Sequence, residues 1–480
     1  MASGNLDNKG KGKAVLNDDI SAPMAVDAVP LMAAGSSGGE SVRSSAEAIP
    51  PAAMAAPVIH PGSQSQQLDK SLILLIKCVM QQCVRAMEAG NTEAANSALV
   101  ALSSVSSLDG DPIQRLTSAF TEALARRALE PLQGLSWSVQ EQLRTPPPPA
   151  YAGVARQWFH SLSPLLRAAS LAANHAIVKA VEGEQDVHVV DLGGANPRQW
   201  IELLRLLAAR PGGAPSSLRL TIVSGHAFFL TCATEVLTAE ATRLHVPLVL
   251  NPVGAHIDNF SATVIASLGV QRGQALVLSS TLQLHRLIAD ATIVRHADRE
   301  HETMTKADAL LHVLRDLSPK LLVLTEQEAD HNNDGEGRGG LWDRINSAFD
   351  YYAVLFNDLE VSRVPRESLD RAVVERLHLR EEIVDIVARD GAARRERHEK
   401  MLRWVPRMAA AGFQPAPVTM DGFKETMRLA NRLSDGDRQK PLYRVTAVKG
   451  CFFVHSERMM RQPPPPTHGF GFSARRTADP

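Results

Sequence analysis

Asp191 is the residue of this 480-residue chain whose type and position most directly suggest ligand chemistry. It closes the apolar run Val187–Leu192 and is followed by Gly193-Gly194. A carboxylate at the end of a buried strand, beside a glycine turn, can hold the ribose of a nucleotide or of S-adenosylmethionine. The surrounding spacing argues against a working cofactor site. Gly193-Gly194-Ala195-Asn196-Pro197 lacks the later glycine of a dinucleotide fingerprint, and Pro197 removes an amide donor that an anion would use. The second strand, Leu218–Val223, runs out into Ser224-Gly225-His226 rather than an acidic residue. Asp191, Gly193 and Gly194 are therefore cofactor-binding residues only under an alternative reading, an S-adenosylmethionine-dependent methyltransferase-like enzyme. The main reading assigns no catalytic residue, no cofactor and no metal.

Three other constellations carry chemical potential. His296, Asp298, Glu300, His301 and Glu302 include metal-ligand types, but as the polar lead-in to a helix they read as solvated or capping groups. Glu326, Glu328, Asp330 and His331 follow a strand, where an acid/base pair could stand. No nucleophile accompanies them, so they read as structural loop groups. Leu203-Leu204-Arg205-Leu206-Leu207 contains an LxxLL pattern of the kind coregulators display, yet a helix adjoining the central strand more simply buries those leucines.

These groups are positioned by an alternation of strands and helices. Val187–Leu192 is a central parallel strand, covered on both faces. Asn196 caps the next helix, Pro197 opens it, and Trp200, Leu203, Leu204 and Leu207 give it one apolar face. Strands Pro247–Val253, Ala275–Ser280 and Leu321–Glu326 alternate with helices Phe228–Leu244 and Thr303–Leu317. The spacing predicts a methyltransferase-like, Rossmann-type α/β fold, a mostly parallel sheet with helices on both faces. Leu341–Leu359 is a further helix, and Ser368–Asp390 and Ala392–Ala411 read as charged helices solvated on one face. Tyr443–Val448 and Cys451–His455 read as an edge hairpin.

Ahead of the strands, Leu72, Leu75, Ile76, Val79, Cys83 and Met87 recur at helical spacing, and Gly90-Asn91 separates two helices. The domain reading is a low-complexity disordered tail over 1–65, a helical cap over 66–150, an α/β core with cap contributions over 151–460, and a Pro-rich disordered tail over 461–480. The formal net charge is −1, so no global basic field draws the chain to nucleic acid or to an anionic membrane. Arg394, Arg395 and Arg397 form the best local basic patch, diluted by Glu396 and Glu399. Four cysteines at scattered spacing exclude a disulfide framework and a zinc finger. No apolar stretch is long enough to span a membrane.

VHVVDLGGANPRQW, with AANHAIVKAVEGE before it and LVLTEQEADHN and RRERHEKMLRWVPRMAAAGF after it, resembles the signature segments of the plant GRAS family of transcriptional regulators. Val187, His188, Val189, Val190 and Asp191 carry the family signature. LQLHRLIAD and SPKLLVLTEQEADHNN look closest to the scarecrow-like branch near the regulators of gibberellin signalling. The resemblance implies a nuclear coregulator without demonstrated catalysis. It also implies partners of three kinds: C2H2 zinc-finger factors that supply DNA recognition, other GRAS proteins including DELLA-type repressors, and a homo- or heterodimer. DNA contact is then indirect. Leu72, Leu75 and Val79 are the candidate partner-facing residues of the cap.

Two departures stand out. Gly193 replaces the family's second acidic residue, and Ser473-Ala474-Arg475 replaces its closing Ser-Ala-Trp. With Pro463–Pro466 unable to donate ladder hydrogen bonds, the last strand is expected to be missing and the tail dispensable. The missing second-strand acid and Pro197 also set an expectation for ligand binding. Calorimetry should find S-adenosylmethionine binding weaker than micromolar; a micromolar Kd, lost on Asp191→Ala with the fold intact, would contradict it.

Overall fold

The computed structural model describes residues 61–130, 149–193, 196–288, 291–296, 299–332, 340–360, 364–433, 443–448, 451–456 and 472–476. Helices α1 (Pro61–Glu88), α2 (Thr92–Val105), α3 (Pro112–Leu129), α4 (Pro149–Leu162) and α5 (Pro164–Ala180) precede the first strand. The alternation then runs β1 (Asp186–Asp191), α6 (Pro197–Ala209), β2 (Ser217–Val223), α7 (Ala227–Arg243), β3 (Leu248–Val253), α8 (Ala262–Ser267) and β4 (Ala275–Thr281). A hairpin of β5 (Ala291–His296) and β6 (Arg299–Thr305) leads into α9 (Lys306–Asp316) and β7 (Leu321–Thr325). After α10 (Leu341–Glu360), a π-helical turn at Val374–Leu379 joins α11 (Leu369–Val373) to α12 (Arg380–Ala388). The described chain ends with α13 (Met401–Ala410), β8 (Phe413–Pro415), α14 (Met420–Leu433), β9 (Tyr443–Val448), β10 (Cys451–Ser456) and β11 (Phe472–Arg476).

The sheet order is β3-β2-β1-β4-β7-β11-β10-β9, with β8 also pairing β11. The first five strands of this order are parallel, the expected Rossmann-type arrangement. The order reverses between β1 and β4, the switch point outside which such folds place ligands. Alternation along β1 explains its unbroken apolar run. Val187 and Val189 pack with Trp200, Leu203, Leu204 and Leu207 on one face, while Val190 joins Leu278, Leu311 and Leu322 on the other. His188, on that second face, is fully buried and meets Thr221 Oγ1 through Nε2 at 2.8 Å. Burial, seconded by Arg219, pushes its imidazole down to about 4, so it is a neutral core group. The LxxLL helix buries Leu203, Leu204 and Leu207 in the same core.

Local signals place the helix starts. Asn196 accepts from Arg198 N at 3.1 Å ahead of Pro197, and Asp111 and Gln114 form a reciprocal capping box on α3. Gly90 turns α1 into α2 with φ +68°, a conformation other residues rarely adopt. A third apolar cluster unites α1–α3 with α10 and α12, including Met80, Val84, Phe120, Leu124, Phe349, Tyr352 and Ile383. The cap is therefore assembled from both ends of the chain.

Three expectations need correction. The polar lead-in before α9 carries the β5–β6 hairpin. Ala392–Ala411 is not one helix: 394–400 is extended and helix resumes only at Met401. Asp385 Oδ2 accepts from Arg395 N at 2.7 Å and Glu396 N at 2.6 Å, bonds that replace helical partners for those amides. Finally, the segment after Arg461, expected to lack the last strand, supplies β11, which pairs antiparallel with β7, β8 and β10. The proline rule restricts ladder positions only, and the ladder begins beyond Pro466, which lies outside the described residues.

Deleting β11 would leave β7 without its antiparallel neighbour. Ending the chain after Gln462 is thus expected to abolish a cooperative thermal transition or lower it by several degrees, read by circular dichroism melting beside the full chain. An unchanged melt would restore the dispensable-tail reading.

Candidate functional site

The carboxyl edge of the sheet at the switch point is the place to build a site. Asp191 ends β1 with 3% of its surface exposed, and both oxygens are used. Oδ1 accepts from Gly193 N at 2.6 Å and Oδ2 from Trp200 Nε1 at 2.9 Å. A Cβ on Gly193 would stand 2.9 Å from that Oδ1 and 3.2 Å from Thr281 Cβ, so any side chain here would crowd both the Asp191 carboxylate and β4. Gln283 Nε2 then donates to Gly193 O at 3.3 Å, which ties the turn to the loop after β4. Asp191 acts as the brace of a tight turn. Gly194 lies outside the described residues.

Next to this turn, three segments meet in a buried polar cluster. The main chain first joins two of them, as Leu282 N donates to Thr325 O at 2.8 Å. Glu326, just past β7, accepts from Leu284 N at 2.8 Å and Gln283 N at 3.2 Å through Oε1. Its Oε2 meets His285 Nδ1 at 2.6 Å, and His285 Nε2 meets Glu396 Oε2 at 2.7 Å. Burial alone would discharge the His285 imidazole, but Glu326 and Glu396 outweigh it and hold the pKa at about 9. Burial works against Glu396 as well; Arg286, 3.2 Å from its Oε1, and His285 keep the carboxyl well below the usual range. His398 is fully buried and neutral, depressed by burial and then by His285 and His331. Its Nδ1 meets His331 Nδ1 at 2.9 Å, while Nε2 lies 3.6 Å from Glu396 Oε2.

The cluster extends into the cap through a stripe of polar residues on α11, the π turn and α12. Arg371, Glu375, His378, Glu382 and Asp385 are all buried, so the face expected to be solvated points inward. Arg115 of α3 crosses to Glu375 at 2.8 Å and Glu360 at 2.9 Å. Tyr352 donates to Glu382 at 2.8 Å, and burial followed by Glu396 lifts that carboxyl to about 7.

Sequence reasoning locates some of these positions and misses others. Glu326 and His331 belong to the cluster, and Glu328, pushed up to about 7 by burial, accepts from Met401 N at 2.7 Å. Arg394 and Arg397 are buried rather than a basic surface patch, with Arg394 donating to His331 O and Arg397 to Asn332 Oδ1 at 2.9 Å. The side chains of His296, Asp298, Glu300, His301 and Glu302 lie outside the described residues. No spacing in the sequence marks His285, Glu396 and His398 as a site; the segments LQLHRLIAD and RRERHEK that carry all three residues signal a resemblance alone. In the cap, Leu72 and Val79 are half-buried against the core, whereas Leu75 is 57% exposed.

The profile of the GRAS domain family matches residues 76–455. The chain is 33% identical over 422 residues to Scarecrow-like protein 3 of Arabidopsis thaliana, covering 78% of this chain and 84% of that protein. It is 30% identical over 387 residues to Chitin-inducible gibberellin-responsive protein 2 of Oryza sativa subsp. japonica, covering 76% and 67%. A crystal structure of SCL7 from Oryza sativa superposes with a TM-score of 0.65 at 24% identity, over 83% of this chain and 99% of that one.

The cluster sets a pH signature. His285 gains protons relative to the unfolded chain, so its contribution is complete below about pH 6.5 and lost as pH rises through about 9. His285→Gln should cost about 3–5 kcal/mol near neutral pH, measured by denaturant unfolding. The gap from the unsubstituted chain should narrow between those pH values, and a pH-independent gap would refute the imidazolium.

Proposed function

This chain belongs to the GRAS family and is a plant transcriptional regulator, and we propose that it works as a nuclear coregulator holding DNA-binding factors rather than as an enzyme. The observation that carries the reading is the use made of Asp191. Both carboxylate oxygens that a methyltransferase-like site would offer to a ligand brace the chain's own turn, at 2.6 and 2.9 Å. Relatives are named as a scarecrow-like transcription factor and as gibberellin-responsive proteins, which supports a place in gibberellin-linked developmental signalling. DNA recognition falls to C2H2 zinc-finger partners, consistent with a net charge of −1 and with the burial of Arg394 and Arg397. Other GRAS proteins, DELLA-type included, and a second copy of the chain are the remaining partners proposed.

Partner contact is assigned to the first cap helices. Leu74 and Leu75 on α1 and Val100 on α2 are 68%, 57% and 62% exposed, an apolar presentation that a partner surface can cover. Leu72 and Val79 anchor α1 from beneath.

A charge at an exposed position should leave the fold alone, within about 0.5 kcal/mol. Leu75→Asp is therefore expected to keep the melting temperature while cutting co-precipitation of a C2H2 zinc-finger or GRAS partner at least tenfold. Val79→Asp should lower both. Full capture by folded Leu75→Asp protein would remove α1 from the interface, and exclusion of the tagged chain from nuclei would overturn the coregulator reading.

A further inference from the structure

We propose that His285, Glu396 and His398 form a binding site for one divalent cation of the zinc class. One donor atom from each of the three lies within 4.8 Å of the others, all three residues are buried, and Glu396 Oε2 stands 2.7 Å from His285 Nε2 and 3.6 Å from His398 Nε2. Two imidazoles and a carboxylate are a donor set that suits zinc and its transition-metal neighbours rather than magnesium or calcium.

The arrangement around the donors resembles a metal site more than a salt bridge alone. A ligating histidine characteristically gives its other ring N–H to an outer acceptor, which fixes the tautomer and aims the lone pair. His285 Nδ1 has Glu326 Oε2 at 2.6 Å, and Glu326 is itself held by two main-chain amides. His398 Nδ1 has His331 Nδ1 at 2.9 Å, and the main chains of those two residues are tied as well, His331 N donating to His398 O at 2.9 Å. Both rings thus turn Nε2 toward the same carboxylate oxygen, at 2.7 and 3.6 Å. His398 Nε2 is buried and has no hydrogen-bond partner, and a buried polar atom left unmet costs about 1–3 kcal/mol. Arg286 approaches Glu396 through Oε1, which leaves Oε2 to the two imidazoles.

On binding, the Nε2–H bond of His285 breaks and its proton leaves to solvent, and His285 Nε2, Glu396 Oε2 and His398 Nε2 take up the cation. Zinc–nitrogen bonds of about 2.0–2.1 Å require donors about 3.4 Å apart, so His285 Nε2 and Glu396 Oε2, now 2.7 Å apart, must open toward that distance while the 3.6 Å separation of His398 Nε2 from the same oxygen closes slightly. The cation would join the loop after β4 to the extended segment 394–400, two segments far apart in sequence. Its consequence is a metal-dependent lock on the edge of the sheet that faces the cap, and it does not depend on which partner the cap holds.

The full chain, stripped by chelator and dialysed, can be titrated with zinc chloride by calorimetry, with zinc counted by elemental mass spectrometry and stability followed by thermal melting. The expected result is one zinc per chain, a melting temperature raised by zinc and lowered by chelator, and affinity that falls as pH drops. His398→Ala should weaken binding at least tenfold while retaining its circular dichroism, and a Cys78→Ser, Cys232→Ser chain should bind as the unsubstituted one does. Cobalt substitution of the unsubstituted chain gives a readout free of variants: visible bands of nitrogen and oxygen ligation without thiolate charge transfer. Substoichiometric binding at micromolar zinc, thiolate bands, or affinity unmoved in folded His398→Ala protein would each overturn the site.

Discussion

A single imidazolium holds the carboxyl edge of the sheet together. His285 sits between Glu326 and Glu396 at 2.6 and 2.7 Å, and in a low-dielectric interior two such carboxylates could not face one another without the intervening charge. Each of the three residues comes from a different segment: the loop after β4, the end of β7, and the extended stretch before α13. The contact therefore decides where those segments lie, and Glu396 in turn needs Asp385 to hold its amide and Arg286 to meet its second oxygen. Buried ionic groups add little net stability over a well-packed apolar replacement, yet losing one partner is expensive. Such a network selects one arrangement sharply.

The same economy governs the switch point. In an enzyme of this architecture the acid after β1 and the glycine beside it face a ligand. Here Asp191 turns inward on Gly193 N and Trp200 Nε1, and Gln283 closes over the turn. At the position where such folds place ligands, these bonds join β1, α6 and the loop after β4. What the scaffold then presents outward is helical surface on the cap, whose apolar core is drawn from α1–α3, α10 and α12 together.

The inward stripe on α11, the π turn and α12 shows why composition misleads about this protein. Arg371, Glu375, His378, Glu382 and Asp385 recur at the spacing of one helical face and read as solvated, while Leu369 on the same element is 71% exposed. The polar face points in because Arg115, Tyr352 and Glu360 come from elsewhere in the chain to meet it. Assigning the outer face of a helix by its polarity assumes that charge seeks water. That assumption fails where tertiary partners supply hydrogen bonds in water's place.

Sequence alone determined the parallel strands and the helices between them, because apolar runs, the cap at Asn196 and the turn at Gly90-Asn91 act over a few residues and need no distant partner. It also determined the fate of the LxxLL leucines and marked Asp191 as the pivotal carboxylate. Tertiary structure alone decided what Asp191 holds, that 394–400 is extended, that Arg394 and Arg397 are interior, and that β11 enters the sheet beside β7. The reason is common to all four. A charged side chain or a short strand has no local preference strong enough to fix its place, so its partners fix it, and those partners lie far away along the chain.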